Sequence, residues 1–526
     1  MKYFLAFFIS IVVGGIASGQ NSFATIYSDP AATFYGYELV ASADGGYAST
    51  GFRGSLTLRD VYLMKTDADG TLLWLKTYGS NQDDMGYSLQ QTSDGGYIIA
   101  GETSGFGQAH PAMYIIKTNT TGDTLWTKTF ATTPGFARAY SIRQTSDGGF
   151  IVTGDVTLAN SIVTDVILLK LDANGNRQWC KHIGNGLSDV GNVVRQTADG
   201  GYIIAGFANE SFGSGKDILL VKTDELGDTI WTKTFSGSLN DIAQALDITP
   251  DGGYIVTGFT NSHNAGQNYE GFLLKTNSSG EQEWFRTYGY TRAYSVVSAA
   301  GGYTFAGYGP VGSGQYSLIH TDNFGNLNWA SLFSDAFAAI CYGLCVTPDG
   351  GYAMNGYSLG FGVPTGYAKA FFVKTTSAGV APCTYVDATS YTPDTVISPD
   401  LPVMSGLIVN DQAPDSAFGG TVSVPSTTVQ NLVCLSTETE DLSPIAAGLT
   451  LYPNPNDGVF SILSEELRDE QVIITITDIH GNQVYQYSGK VNHNLLISEP
   501  GISEGMYFVK ITSAKGCLFR KMSLIH

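Results

Sequence analysis

The chain has little charge and almost no helix signal. Charged residues make up only 14% of its 526 residues. Stretches with the i, i+3, i+4 apolar spacing of an amphipathic helix are almost absent, which argues against a bundle or coiled coil. Basic residues number 27 against 47 acidic ones, a net charge of −20. Such a surface repels phosphate backbones, and no basic patch with interleaved aromatics is visible, so nucleic acid is not an expected partner. The seven histidines never form a pair at metal-ligand spacing, and no metal site is expected from them. Six cysteines are too few to build a disulfide scaffold of this length. Beyond the first 19 residues no apolar run could span a bilayer, so the mature chain is expected to lack a transmembrane segment. Gly213-Ser-Gly-Lys216 is a poor phosphate loop, because Glu210 stands where the first glycine should be and Asp217 replaces Ser/Thr. A sialidase-like site would need an arginine cluster, and quinone dehydrogenases adjacent cysteines; neither is present.

What the chain has is glycine, 64 residues of it, and repetition. Asp-Gly-Gly-aromatic occurs at Asp44, Asp94, Asp147, Asp199, Asp251 and Asp349, and Ala300-Gly301-Gly302-Tyr303 holds the remaining slot. The steps are about fifty residues throughout, the signature of a stacked or radial array of one supersecondary unit. Each unit reads as four strands. In the second, Gly86–Thr92 runs into the Asp94-Gly95-Gly96 turn, and Tyr97-Ile-Ile-Ala-Gly101 runs back. Paired glycines supply the backbone freedom of a tight hairpin. A variable loop leads to Met113–Lys117, and an Asp/Asn-x-x-Gly turn leads to Leu125-Trp126-Thr-Lys-Thr-Phe130. The second and third runs are nearly continuously apolar, which marks strands covered on both faces, as a blade is between two blades. The first run opens with a small residue (Gly36, Gly86, Ala139, Gly191, Ala243, Cys341), which we attribute to crowding around a central axis. Trp74, Trp126, Trp179, Trp231, Trp284 and Trp329 follow the turn glycines and read as wedges between blades, leaving no tryptophan for a ligand platform.

The seventh unit lacks its fourth strand, and the missing piece stands at the other end of the chain. Phe23-Ala-Thr-Ile-Tyr27 precedes Asp44 by the same interval that separates Phe130 from Asp147. An N-terminal strand pairing with Phe371–Lys374 would close the ring and remove two open edges. The expectation is an all-β chain: a closed seven-bladed β-propeller over residues 20–379, then a small β-rich segment and a C-terminal sandwich. The units resemble the secreted bacterial β-propeller repeats (the SBBP-like group) in their Gly turn and Asp/Asn-x-x-Gly-x-x-x-Trp pattern. That resemblance implies fold more than function.

Residues 1–19 read as a signal peptide, with Lys2, an apolar run and a small-residue cleavage site between Gly19 and Gln20. Residues 380–434 carry short strand-like runs between prolines and could be a small module or an arm lying along the propeller. Cys383 and Cys434 bracket them and are disulfide candidates in an exported chain. Residues 435–448 read as a linker. The last stretch opens with Tyr452-Pro453-Asn454-Pro455-Asn-Asp-Gly458 and closes with Gly505-Met506-Tyr507-Phe-Val-Lys-Ile511. Over 449–526 this resembles the type A C-terminal sorting domain of the type IX secretion system. The resemblance implies an Ig-like β-sandwich, the type IX machinery as partner, and a secreted or surface location on a Gram-negative cell.

Candidate binding residues gather on the face shared by the loops after strands two and four. Asp84, Asp189 and Asp241 fall in one set, and Asp60, Asp165, Asp217 and Glu270 in the other. An acidic rim of oxygen ligands would suit Ca2+, the one cofactor worth considering, or a hydroxyl-rich ligand. The competing reading is that each carboxylate caps its own loop. Phe106, Phe212 and Tyr269 stand in loops that break the symmetry and are candidate partner contacts. The expected function is a non-catalytic binding or adhesion protein with a protein or glycan ligand. The alternative is a glycan-active hydrolase or lyase with its site at a channel mouth.

Overall fold

The computed structural model of the protein describes residues 22–381, apart from short loop stretches, and the strands between residues 403 and 524. Seven four-stranded antiparallel sheets follow one another in chain order. Blade 3 is typical, with strands Ala137–Gln144, Phe150–Val156, Asp165–Leu171 and Arg177–Gly184. Blade 7 takes three strands from Ala339–Val346, Tyr352–Ser358 and Lys369–Thr375, and its fourth from Ser22–Ser28. The register sets Phe23 opposite Lys374 and Ile26 opposite Phe371. The wheel is therefore closed by the N-terminal strand, with seven blades as the repeats imply.

The repeated residues build the turns and the seams. The first glycine of each Asp-Gly-Gly turn sits at positive φ (Gly95 at 80°, Gly148 at 81°). The second has no room for a side chain: a Cβ on Gly96 would lie 2.1 Å from the Thr118 carbonyl oxygen. The aspartate accepts the Gly96 amide (3.0 Å) and the ammonium of a lysine from strand three, Lys117 Nζ at 2.8 Å. The same latch joins Lys65 to Asp44, Lys170 to Asp147, Lys222 to Asp199, Lys275 to Asp251 and Lys374 to Asp349. In blade 6, whose sequence has Ala300 at the anchor, the lysine position is His320, which bonds Thr304 Oγ1 (2.8 Å) and stacks on Trp329. Both halves of the latch are replaced together.

Each tryptophan reaches across a seam. A Cβ on Gly175 of blade 3 would come within 2.8 Å of the Trp126 ring of blade 2, and Trp126 meets Phe150 edge-on with centroids 5.9 Å apart. The wedge reading holds, although these rings are half-buried rather than enclosed. At the closing seam Phe23 takes the tryptophan's place, against Gly70 and Tyr47. The small residue of strand one answers to the neighbouring blade and not to the axis. A Cβ on Gly86 would meet Thr50 Oγ1 and Val61 Cγ1 of blade 1, each at 2.8 Å.

The strands described between Val403 and Ser436 lie along the outer edges of the propeller. Val403–Met404 pairs with the outer strand of blade 4, Ile408–Asn410 with blade 3, Asp415–Ala417 with blade 2 and Thr421–Ser423 with blade 1. Val429–Ser436 then pairs with Ser22–Ser28 of blade 7. We call this the rim strap, since it steps round the wheel in reverse order. It meets each blade at one equivalent position, four residues beyond the wedge: Phe235, Ile183, Phe130, Tyr78 and Tyr27. The spacing suits six to eight extended residues per blade. The strap covers five outer edges and turns the closing strand into an interior one.

The tail forms two antiparallel sheets, one of three strands and one of four. In the larger, Glu470–Asp478 lies beside Gly505–Ser513, and Val472, Ile474, Ile476, Val509 and Ile511 are buried in alternation. That pattern is one-sided burial. Residues 1–21, with Gly19 and Gln20, lie outside the described residues, as do Cys383, Pro453, Asn454, Pro455 and Gly458. Tyr452 and Gly505, Met506 and Tyr507 lie in strands, and Cys434 faces Ala24 across the strap.

Candidate ligand-binding site in the central channel

Strand one of every blade carries a β-bulge at the same place. The pairing skips Tyr37, Tyr87, Tyr140, Asn192, Gln244, Tyr294 and Tyr342 in blades 1 to 7. Opposite each bulge stands the glycine that recurs in strand two; a Cβ on Gly101 would lie 1.8 Å from the Met85 carbonyl oxygen. A bulge re-aims one side chain, and here seven bulges send one residue each toward the axis. Five are tyrosines, and they form a continuous arc. Centroid separations are 4.9 Å for Tyr294–Tyr342, 5.2 Å for Tyr342–Tyr37, 5.3 Å for Tyr37–Tyr87 and 5.5 Å for Tyr87–Tyr140. Asn192 and Gln244 fill the remaining two places.

Burial, with the neighbouring Tyr35 adding to it, pushes the Tyr37 hydroxyl up to about 12. Burial also raises Tyr87, Tyr140, Tyr294 and Tyr342. The ring therefore presents neutral phenols at any ordinary pH. Tyr87 donates to Glu102 Oε1 (2.8 Å), which stands near Arg138, itself held by Asp155 through a 3.0 Å and a 2.5 Å bond.

From the ring a cavity of about 280 Å³ extends along strand one toward the face of the Asp-Gly-Gly turns. Every blade contributes to its wall. Three residues beyond each bulge the sequence differs most between blades, and there Arg143, Arg195 and Asp247 line the cavity with Glu38 of blade 1. Arg143 Nη2 meets Glu38 Oε1 at 2.5 Å, and Glu38 Oε2 accepts the Leu89 amide at 2.6 Å. Asp247 Oδ2 accepts the Ser298 amide at 2.9 Å. Both channel carboxylates are thus bonded to protein groups.

The acidic rim is placed elsewhere, in the seams on the opposite face. Asp84, Asp189 and Asp241 each accept an amide of their own loop, from Ser80 (2.6 Å), Asn185 (3.0 Å) and Gly237 (2.9 Å). Asp60 faces Asp84 across Gly79, where a Cβ would meet Oδ1 of the one at 2.1 Å and Oδ2 of the other at 2.8 Å. Burial, helped by Asp84, raises Asp60 to about 6; burial, helped by Asp165, raises Asp189 to about 7. Burial also raises Asp84, Asp165 and Asp241. Asp217 and Glu270 are buried at the start of their strands. Among the described residues no group of three or more His, Cys, Asp or Glu is placed to hold a metal ion. Phe106 packs on Tyr114 (5.3 Å) at φ 53°. Tyr269 carries Arg292 over its face at 4.3 Å, and Phe212 lies outside the described residues.

The sequence reading missed the ring because a bulge breaks the two-residue alternation that assigns faces. The signal was available: a tyrosine follows the small residue of strand one in five of the seven repeats.

The fold is a seven-bladed propeller whose axial cavity is lined along one arc by five phenols, an architecture that suits a binding protein or an enzyme. Residues 450–524 match the family described as secretion system C-terminal sorting domain. The protein is accordingly an exported one, secreted or held at the cell surface by the type IX route. No curated protein matches the chain. Among solved structures it is similar to Sqt1 from Chaetomium thermophilum, at 11% identity and TM-score 0.39 over 71% of this chain and 90% of that one. A eukaryotic initiation factor matches at 9% identity and TM-score 0.27, over 60% and 96%. The tail fiber of Staphylococcus aureus phage P68 matches at 10% identity and TM-score 0.23, over 77% and 95%.

Proposed function

We propose that the protein is a non-catalytic binding protein, exported to the cell surface or medium, that receives a protein or glycan ligand in its central channel. The observation that carries this reading is the tyrosine arc, built by five of seven equivalent bulges and joined to the axial cavity. Tyrosine offers a rigid apolar face and one hydroxyl, which suits recognition. The channel carboxylates are occupied by Arg143 and by backbone amides, which favours binding over acid–base turnover. We assign the acidic rim a loop-capping role, with Asp84, Asp189 and Asp241 as its clearest members. The alternating burial in the tail supports an Ig-like sandwich there, with Tyr452 and Gly505–Tyr507 as part of its export address.

The test is glycan and peptide array binding of the exported protein beside Tyr87→Ala and Tyr342→Ala variants. Retention of a ligand that both variants lose supports the reading. Retention indifferent to both, or turnover of the retained glycan, contradicts it.

A further inference from the structure

Arg143 and Arg195 hold the same position in consecutive blades, yet their surroundings differ. Arg143 Nη1 donates to Ser88 Oγ (2.9 Å) and to the Ile142 carbonyl (2.7 Å), and Nη2 reaches Glu38, two blades back. Two blades back from Arg195 the corresponding residue is Ser88, which carries no charge and is bonded to Arg143. Arg195 Nη1 donates to the Val194 carbonyl at 3.0 Å. Asp247, on the next blade, directs its carboxylate to the amides of Ser298 (2.9 Å) and Ile248 (3.0 Å). A guanidinium has five N–H donors in a planar fork, so Arg195 faces the cavity with most of them unspent. Burial, with the charge of Arg143 beside it, outweighs the nearby carboxylates of Asp247 and Glu38 and pushes Arg195 down to about 10. An anion placed there would relieve both.

We propose that Arg195 receives the carboxylate of an acidic sugar whose ring lies against the tyrosine arc, which makes the ligand a uronate-bearing glycan. This rests on the channel being the binding site. A carboxylate matches the guanidinium fork through two parallel bonds. A single negative charge suits the site better than a double one, because Glu38 and Asp247 stand close by and would repel a phosphate more strongly. The cavity of about 280 Å³ lies at the lower edge of the range of small-molecule pockets, the size of one sugar ring and not of a folded peptide. Phenol faces suit the apolar face of a sugar; on the wall opposite the arc the amide of Gln244, and that of Asn192, whose Nδ2 already donates to the Ala243 carbonyl at 2.7 Å, suit its hydroxyls.

The experiment is calorimetric titration of the full exported protein with a galacturonate trisaccharide, its neutral galactose counterpart and inorganic sulfate. The uronate is expected to bind at least tenfold more tightly than the neutral sugar. Arg195→Gln should remove that advantage, bringing uronate affinity down to that of the neutral sugar, and Arg195→Lys should restore part of it; melting temperatures report whether each variant is folded. Equal affinity for the two sugars, or uronate binding indifferent to both Arg195 variants, overturns the proposal. So does sulfate competing as well as the uronate in a Tyr140→Ala variant, which would reveal an ion site alone. A neutral ligand bound in a Tyr140-dependent manner would sink the uronate assignment while leaving the channel reading intact; binding that ignores Tyr140 as well would sink both.

Discussion

The seams between the blades and the channel they enclose are made from the same repeat by opposite rules. At the seams the chain repeats itself: tryptophan against glycine, and lysine against an acid of the next blade at Lys76–Asp123, Lys181–Asp228 and Lys233–Glu281, with Phe23 standing in for tryptophan where the ring closes. In the channel the same strand one that begins each seam carries a bulge, and beyond the bulge the residues diverge. Symmetry holds the wheel together, because each seam must do the same mechanical job. A ligand breaks symmetry, because it has one orientation. The places where this repeat departs from itself are therefore the informative ones for function.

The comparison can be broken most severely at the closing seam. Deleting Ser22–Ser28 strips partners from both the Lys369–Thr375 strand and the strap's last strand. The expected outcome is loss of cooperative unfolding with aggregation, read by circular dichroism melting and size-exclusion chromatography. A deletion that melts like the parent would refute the closure.

Next in size is Gly175→Val. That glycine sits at φ 76° with the Trp126 ring against it. Strain and overpacking together should cost ~2–4 kcal/mol in chemical denaturation, with no change in ligand affinity.

The acid pairs make the seams pH-sensitive. A carboxyl whose folded value lies above its unfolded one gives stability that is fully present below the unfolded value and lost as pH rises through the folded one. Asp60 at about 6 and Asp189 at about 7 put that window between pH 4 and 8. The melting temperature should thus be higher at pH 5 than at pH 8. Asp189→Asn should shrink the difference, by at most ~4 kcal/mol of stability at pH 8. The latches act in the other direction. Burial raises Asp147, but its bonds from Lys170 and Thr145 outweigh that and hold it at about 2, so its contribution is present above about pH 4 and fades only below. An unchanged melting temperature across pH 5 to 8 would contradict the assignment.

The smallest effect sharpens the comparison most. Installing Ala300→Asp together with His320→Lys should rebuild the missing latch of blade 6. A double-mutant cycle is expected to give a favourable coupling of about 1 kcal/mol, with neither single change stabilising. Additivity would show that the paired replacement has no structural meaning.

Much of the wheel was legible because its signals are local. Asp-Gly-Gly and Asp/Asn-x-x-Gly name their turns, and the interval before Asp44 reveals Phe23–Tyr27 as the displaced fourth strand of blade 7. The strap was partly legible: Leu407–Val409 and Thr421–Val424 read as strand-like, but four of its five contacts are two or three residues long and pair by backbone alone, so nothing in the sequence says which blade each one meets. The channel was hidden by register. Counting two by two along strand one, a reader loses Tyr37 or Tyr140 at the bulge and assigns the wrong face beyond it. The carboxylates were legible as a recurring set, and Asp84, Asp189 and Asp241 each accept an amide of their own loop in blade after blade.

The central claim is that the channel binds and the seams only hold. It is tested most directly by plugging the channel with Ser295→Trp, a small lining residue whose replacement fills the cavity. Melting temperature and array binding should be measured on the same protein preparation. A melting temperature close to that of the parent, together with loss of ligand, is the expected result. Ligand retained at parental strength by a folded, plugged wheel would contradict it.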